Sequence, residues 1–171
     1  MKRKKIYTAI AMLLLLVLYI TIFCFSAEDG ESSSAISTKV TKAFYTLYYA
    51  LFGGGGSGTE QVVTEQTIYA TEGVIRKLAH FIEYLGIGFL SYSIVLMWYA
   101  PVFRGRLLVI MQLFLSAGAD ELHQYFVPGR HASVKDVLLD VSGGITGMIL
   151  IFAVVNIQRR ITDKRKDCSV L

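Results

Sequence analysis

Hydrophobic and polar positions alternate along this chain in long blocks rather than single residues. Residues 6–25 run for 20 positions without a charge, and at 1.5 Å per residue that is enough to cross a hydrocarbon core of about 30 Å. Residues 78–100 are apolar except for His80 and Glu83 near their start, and residues 107–126 are apolar until Asp120, Glu121, His123 and Gln124. Residues 137–157 are apolar apart from Asp140. Stops follow the last three blocks at Pro101, Pro128-Gly129 and Arg159-Arg160. The pattern predicts an all-α fold, an integral membrane bundle of four transmembrane helices in a single domain over 1–171, with its core at 6–157. A basic start followed by an apolar run also describes a cleaved signal peptide. The length of the first run, and bulky Phe25 where a cut after Ala27 wants a small residue, favour a retained helix.

The connection from 26 to 75 is the one long loop, placed after the first helix. Its middle, 53–58, is glycine-rich and reads as a flexible linker. Residues 36–52 carry Ile36, Val40, Phe44, Tyr45, Leu47, Tyr48 and Leu51 near a helical period. Two readings fit: a helix lying at the membrane interface with tyrosines at headgroup level, or a helix packed against the bundle.

Composition agrees with the blocks. The chain is 54% hydrophobic and only 18% charged, against about 25% charged for a soluble domain, which excludes an ordinary soluble enzyme and a disordered tail. Cys24 and Cys168 stand in an apolar run and a basic tail (158–171), and suggest neither a disulfide framework nor a zinc site. Charge placement then orients the helices. With the N-terminus inside, the cytoplasmic segments hold 11 of the 17 Lys and Arg, and both termini are expected in the cytoplasm. No nucleic-acid partner is expected: topology and anionic inner-leaflet lipid account for the basic ends.

The polar residues inside the apolar blocks share one layer. His80, Glu83 and Tyr84 lie at i, i+3 and i+4; Asp120, His123 and Gln124 repeat that spacing; Asp136 and Asp140 are one turn apart, with Ser133 a turn before. In the expected topology all three groups fall on the extracytoplasmic side, near the outer boundary of the hydrocarbon. Ionisable groups there usually face a cavity or one another and suggest a functional site. An ion-pair network with Arg130, Lys135, Arg76 and Lys77 that only locks the bundle together is the structural alternative.

Candidate catalytic residues are His80, Glu83, Asp120, Glu121, Asp136 and Asp140. Candidate metal ligands are His80, Glu83, Asp120, His123 and Asp136, with a divalent metal as the candidate cofactor. Arg130, on the Pro128-Gly129 turn, has a guanidinium suited to bidentate phosphate or carboxylate binding. Lys77, Tyr84, Gln124 and Ser133 join it as candidate ligand-binding residues. Gly143 and Gly147 read as a ridge for close helix packing.

These residues, in this order, resemble the VanZ-like family of bacterial membrane proteins. The resemblance rests on Lys77-Leu-Ala-His80-Phe-Ile-Glu83-Tyr84, Asp120-Glu-Leu-His-Gln124-Tyr-Phe-Val-Pro-Gly-Arg130, Ser133, Asp136, Asp140 and Gly143, Gly144 and Gly147, with Phe25-Ser26 and the serines that follow. It spans nearly the whole chain. It implies a multi-pass protein of the bacterial plasma membrane with a role in the cell envelope, and the name-giving member is associated with low-level resistance to teicoplanin in Gram-positive bacteria. It assigns no enzymatic reaction.

Three readings of function follow. In the first, an outward-facing polar pocket acts on a membrane lipid or lipid-linked envelope precursor and lowers glycopeptide susceptibility, with Arg130 and Lys77 holding an anionic headgroup. In the second, the chain is an intramembrane metal-assisted hydrolase or transferase on a lipid-linked phosphate, with Glu121 or Asp140 as general base. In the third it is a small transporter subunit or scaffold; nothing in the sequence calls for an oligomer.

Overall fold

The computed structural model of the protein describes residues 1–28, 30–52, 65–98 and 102–168. Five helices follow one another: α1 (Lys2–Ala27), α2 (Gly30–Phe52), α3 (Glu65–Trp98), α4 (Val102–Tyr125) and α5 (Val134–Cys168). No strand occurs among the described residues, and the all-α class holds. Three helical stretches are long and apolar enough to cross a membrane: Lys2–Ala27, Thr71–Trp98 and Val134–Asp163. The third expected span does form a helix, α4, but Arg104 and Arg106 at one end and Asp120, Glu121 and His123 at the other shorten its apolar middle below that measure.

The connection expected as a long loop is largely helical among its described residues. α2 fills 30–52, and α3 starts well before the first apolar residue of its span. The linker at 53–58 and Pro101 lie outside the described residues, as do the side chains of Ile36, Phe44 and Tyr45. α2 buries Ser37 and Thr41 toward the bundle, while Val40, Leu47 and Leu51 remain exposed. Thr38 donates a hydrogen bond to Glu72 of α3. The segment packs on the bundle through α3 and turns an apolar face outward.

α3 is the centre of the bundle, packing against all four other helices, with its most extensive contact along α5. Glycine makes that contact close. A Cβ on Gly88 would stand 1.9 Å from the Gly144 carbonyl oxygen, and one on Gly147 would stand 2.0 Å from that of Leu85. No side chain fits there, so the two backbones pack directly, as the small-residue ridge predicts.

The core is one stripe per helix. α1 contributes Leu15 and Ile22, α3 Tyr84, Ile87 and Tyr92, α4 Val109, Leu113 and Ala117, and α5 Val141, Met148 and Ile151. Large apolar residues such as Ile10, Leu13, Met111, Leu115 and Ile149 are more than half exposed. Lipid, rather than protein, is the medium that accepts such a surface. At one end of the bundle the inward stripes turn polar without changing face. On α4, Val109, Leu113 and Ala117 are succeeded by Asp120, Glu121 and Gln124.

Candidate functional site

Three helix ends, half of a fourth helix and one loop meet at this polar end: the end of α1, the first half of α3, the end of α4 with the turn after it, and the start of α5. All but α1 line a cavity of about 560 Å³, with Glu72, Arg76, Lys77, His80, Glu121, Gln124, Arg130, Asp136 and Asp140 among its walls. Gly129 makes the turn possible, with φ of 75°, a backbone conformation other residues adopt only with strain.

Part of the polar set closes helix ends. α1 has no basic residue in its last turn, so its terminal carbonyls need donors from elsewhere. Arg130 supplies them: Nη2 donates to the Phe25 carbonyl at 2.6 Å and Nε to that of Glu28 at 3.0 Å. At the start of α5, the Ser133 backbone N–H donates to Glu121 Oε2 at 2.8 Å, and the Lys135 N–H donates to Ser133 Oγ at 3.2 Å. A carboxylate at a helix N-terminus is favourable against the helix dipole.

A second part surrounds Asp120. Ser26 Oγ donates to its Oδ1 at 2.5 Å, and Gln124 Nε2 donates to its Oδ2 at 2.9 Å. Gln124 also reaches Ser26 Oγ at 3.3 Å. From the neighbouring helices, His80 on α3 and Asp140 on α5 approach the same point. One potential ligand atom from each of His80, Asp120 and Asp140 lies within 4.8 Å of the others.

A third part keeps buried polar atoms without a hydrogen-bond partner. Arg130 is 9% exposed and Asp140 only 3%. Arg130 Nη1, Arg76 Nε and His80 Nδ1 are buried and make no hydrogen bond. No ion pair joins Arg130 or Arg76 to Asp120, Glu121 or Asp140 among the described residues; the ion pairs there are Lys77–Asp136 at 2.5 Å and His80–Glu83 at 3.5 Å. The ion-pair lock that the sequence also allowed therefore does not form around Arg130, whose donors go to main-chain carbonyls instead. Burial, with help from the charge of Arg76, pulls the Arg130 guanidinium below its ordinary pKa, and Asp120, Glu28 and Glu121 oppose that shift. Arginine stays charged throughout. Two ionised carboxylates at the separation of Asp120 and Asp140 repel by on the order of 3 kcal/mol at an effective dielectric of about 20, which favours a positive group between them.

The expected site residues are thus sorted by geometry. His80, Asp120, Glu121, Gln124, Arg130, Ser133, Asp136 and Asp140 gather at one end, with Lys77 at the cavity edge. Tyr84 is buried beside Asp120 and His123 on a separate cavity of about 370 Å³. The His123 ring stacks on Phe23, centroids 4.8 Å apart. Glu83 faces a smaller cavity of about 220 Å³ shared with His80 and Arg130. Of the five candidate metal ligands, His80 and Asp120 come together, and the third group beside them is Asp140. Sequence reasoning missed Ser26 as the partner of Asp120 and Glu72 as a lining residue. Glu72, Arg76 and His80 are spaced i, i+4 and i+8, a helical signal that was available upstream of the apolar block.

Comparison with protein families matches residues 11–156 to VanZ/LLP1. Neither a curated protein nor a solved structure matches the chain.

Proposed function

The chain belongs to the VanZ/LLP1 family, and from that membership we propose a membrane protein of the bacterial envelope whose cavity receives an anionic headgroup from a membrane lipid or lipid-linked precursor. Its occupation or alteration of that target lowers susceptibility to teicoplanin-type glycopeptides. The observation that carries the reading is Arg130, a buried residue of the cavity wall, with two donors committed to the end of α1 and Nη1 without a protein partner. A guanidinium held in this way is a fixed, charged group suited to a phosphate or carboxylate. Arg76, whose Nε is equally without a partner, lines the same cavity.

The cavity opens at the outer leaflet in this proposal. Lys2, Arg3, Lys4 and Lys5, together with Arg104, Arg106, Arg159 and Arg160, lie at the opposite end of the helices, and basic residues favour the cytoplasmic side. α4 acts as a fourth span. Its exposed Leu107, Leu108, Met111, Phe114 and Leu115 suit lipid contact, and its polar ends sit at the two boundaries. Both termini then lie in the cytoplasm.

The test is teicoplanin susceptibility of a sensitive Gram-positive host expressing wild type, Arg130→Lys or Asp120→Asn at matched membrane levels. Wild type should protect and both variants should lose protection, because lysine keeps the charge but not the fork. Teicoplanin carries a lipid tail, and the effect should exceed that on an untailed glycopeptide. Equal protection by all three proteins would refute the reading.

A further inference from the structure

Three potential ligands come from three different helices, and two of them, His80 and Asp140, line the cavity. His80 on α3, Asp120 on α4 and Asp140 on α5 each offer one donor atom, and all three atoms lie within 4.8 Å of one another. Ligand atoms about 2.0–2.4 Å from a common ion are separated by up to about 4.8 Å. The spacing is therefore compatible with a single ion bound by all three.

A separate observation concerns Asp140 itself. It is 97% buried (3% exposed), it lines the cavity, and no described residue donates a hydrogen bond to it or forms an ion pair with it. Buried carboxylates are normally paired or bound to a metal. Asp120, by contrast, is held in place: Ser26 takes one oxygen and Gln124 the other, and each oxygen keeps a lone pair. Glu83 Oε2 lies 3.5 Å from His80 Nδ1, where a carboxylate can orient the imidazole. Ligands fixed by hydrogen-bonding partners, as Asp120 is by Ser26 and Gln124, are the usual surroundings of a metal.

We propose that His80, Asp120 and Asp140 form a binding site for one divalent cation, of the zinc or manganese class, beside the cavity. Two carboxylates balance the double charge and neutral imidazole completes the set, a mixed nitrogen and oxygen environment that suits these ions. The donor set contains three protein ligands, which leaves coordination positions open toward the cavity. An oxygen of an anionic headgroup would occupy one of them. The site presupposes no reaction, and it stands on this donor set whether or not the headgroup reading holds.

The experiment uses the full chain, purified in detergent, stripped with chelator, dialysed and titrated with Mn²⁺ alone, bound ion being read by electron paramagnetic resonance. Wild type should bind one Mn²⁺ per chain, with nitrogen modulation from an imidazole in the spin-echo spectrum. Asp140→Asn and His80→Gln should abolish stoichiometric binding, and Ser26→Ala should weaken it by about 10-fold or more. His123→Gln and His131→Gln should keep both the ion and the nitrogen signal, so the assignment survives even if His80→Gln fails to fold. Absence of saturable Mn²⁺, together with absence of Zn²⁺ in metal analysis of the same material, would overturn the site. So would Mn²⁺ bound without nitrogen coupling. A carboxyl pair that merely shares a proton would give the first of these results.

Discussion

The two ends of the bundle handle polar groups in opposite ways. At the end that carries both Lys4 and Trp98, several polar side chains have partners on a neighbouring helix. Tyr7 donates to Ser93 Oγ at 2.8 Å, Trp98 Nε1 donates to Thr8 Oγ1 at 2.7 Å, and Lys4 Nζ reaches the Met97 carbonyl at 3.3 Å. Arg106 lies over the Phe152 ring and makes a long contact to the Tyr92 hydroxyl. At the other end Arg130, Arg76 and His80 each retain a buried nitrogen without a hydrogen bond, and Asp140 receives no hydrogen bond among the described residues. Polar groups that only anchor helices can all be satisfied within the protein. Groups left without partners in a buried place raise the free energy of the fold, and they persist where something outside the chain completes them. That contrast, more than the number of charges, separates the candidate site from the anchoring end.

Substitutions that leave each end folded can break or sharpen this comparison. The largest effect is expected from Arg130→Met, which deprives the Phe25 and Glu28 carbonyls of donors and should destabilise the protein by about 2 kcal/mol or more, seen as a lower melting temperature in detergent. An unchanged melting temperature would mean that Arg130 does not close α1, and the division of its donors would fail. Asp140→Asn should act in the opposite direction. In metal-free protein it removes a repelling charge beside Asp120 and should raise stability by about 1 kcal/mol. Added Mn²⁺ should then raise the melting temperature of wild type but not of this variant. A loss of stability without metal would place Asp140 among the anchoring residues. The smallest effect is expected from Arg106→Met at the far end. Its ring contact is worth about 0.5–1 kcal/mol, and its 3.4 Å contact to Tyr92 is at the limit of a hydrogen bond. Comparable thermal shifts for Arg106→Met and Arg130→Met would erase the distinction between the ends.

Much of this organisation can be read along the chain because membrane helices carry their constraints locally. Runs without charge specify spans, and i, i+3, i+4 spacing places His80 with Glu83 and Asp120 with Gln124 on single faces. Gly143 and Gly147 announced a close contact and make one, against Phe81 and Leu85. α2 and the early start of α3 were harder to see. Their inward positions include Ser37, Thr41 and Glu72, and buried polar residues do not register in a hydrophobic pattern. α4 was read as a span from its apolar middle; its two polar ends are what make its length across a membrane depend on where those ends sit.

Sequence by itself determined the helical class, the apolar stretches that suit a bilayer, the family and the gathering of polar residues toward one end, since each depends on neighbours within a few turns. Pairing was decided only by the tertiary structure. It gave Arg130 to the carbonyls of α1, Glu121 to the start of α5 and Lys77 to Asp136, and it left Asp140 beside His80 and Asp120. Those partners come from helices separated by up to about a hundred residues, and which side chains meet depends on helix rotation and crossing. Both are set by how closely α3 and α5 approach through their glycines, a distance that no single segment encodes.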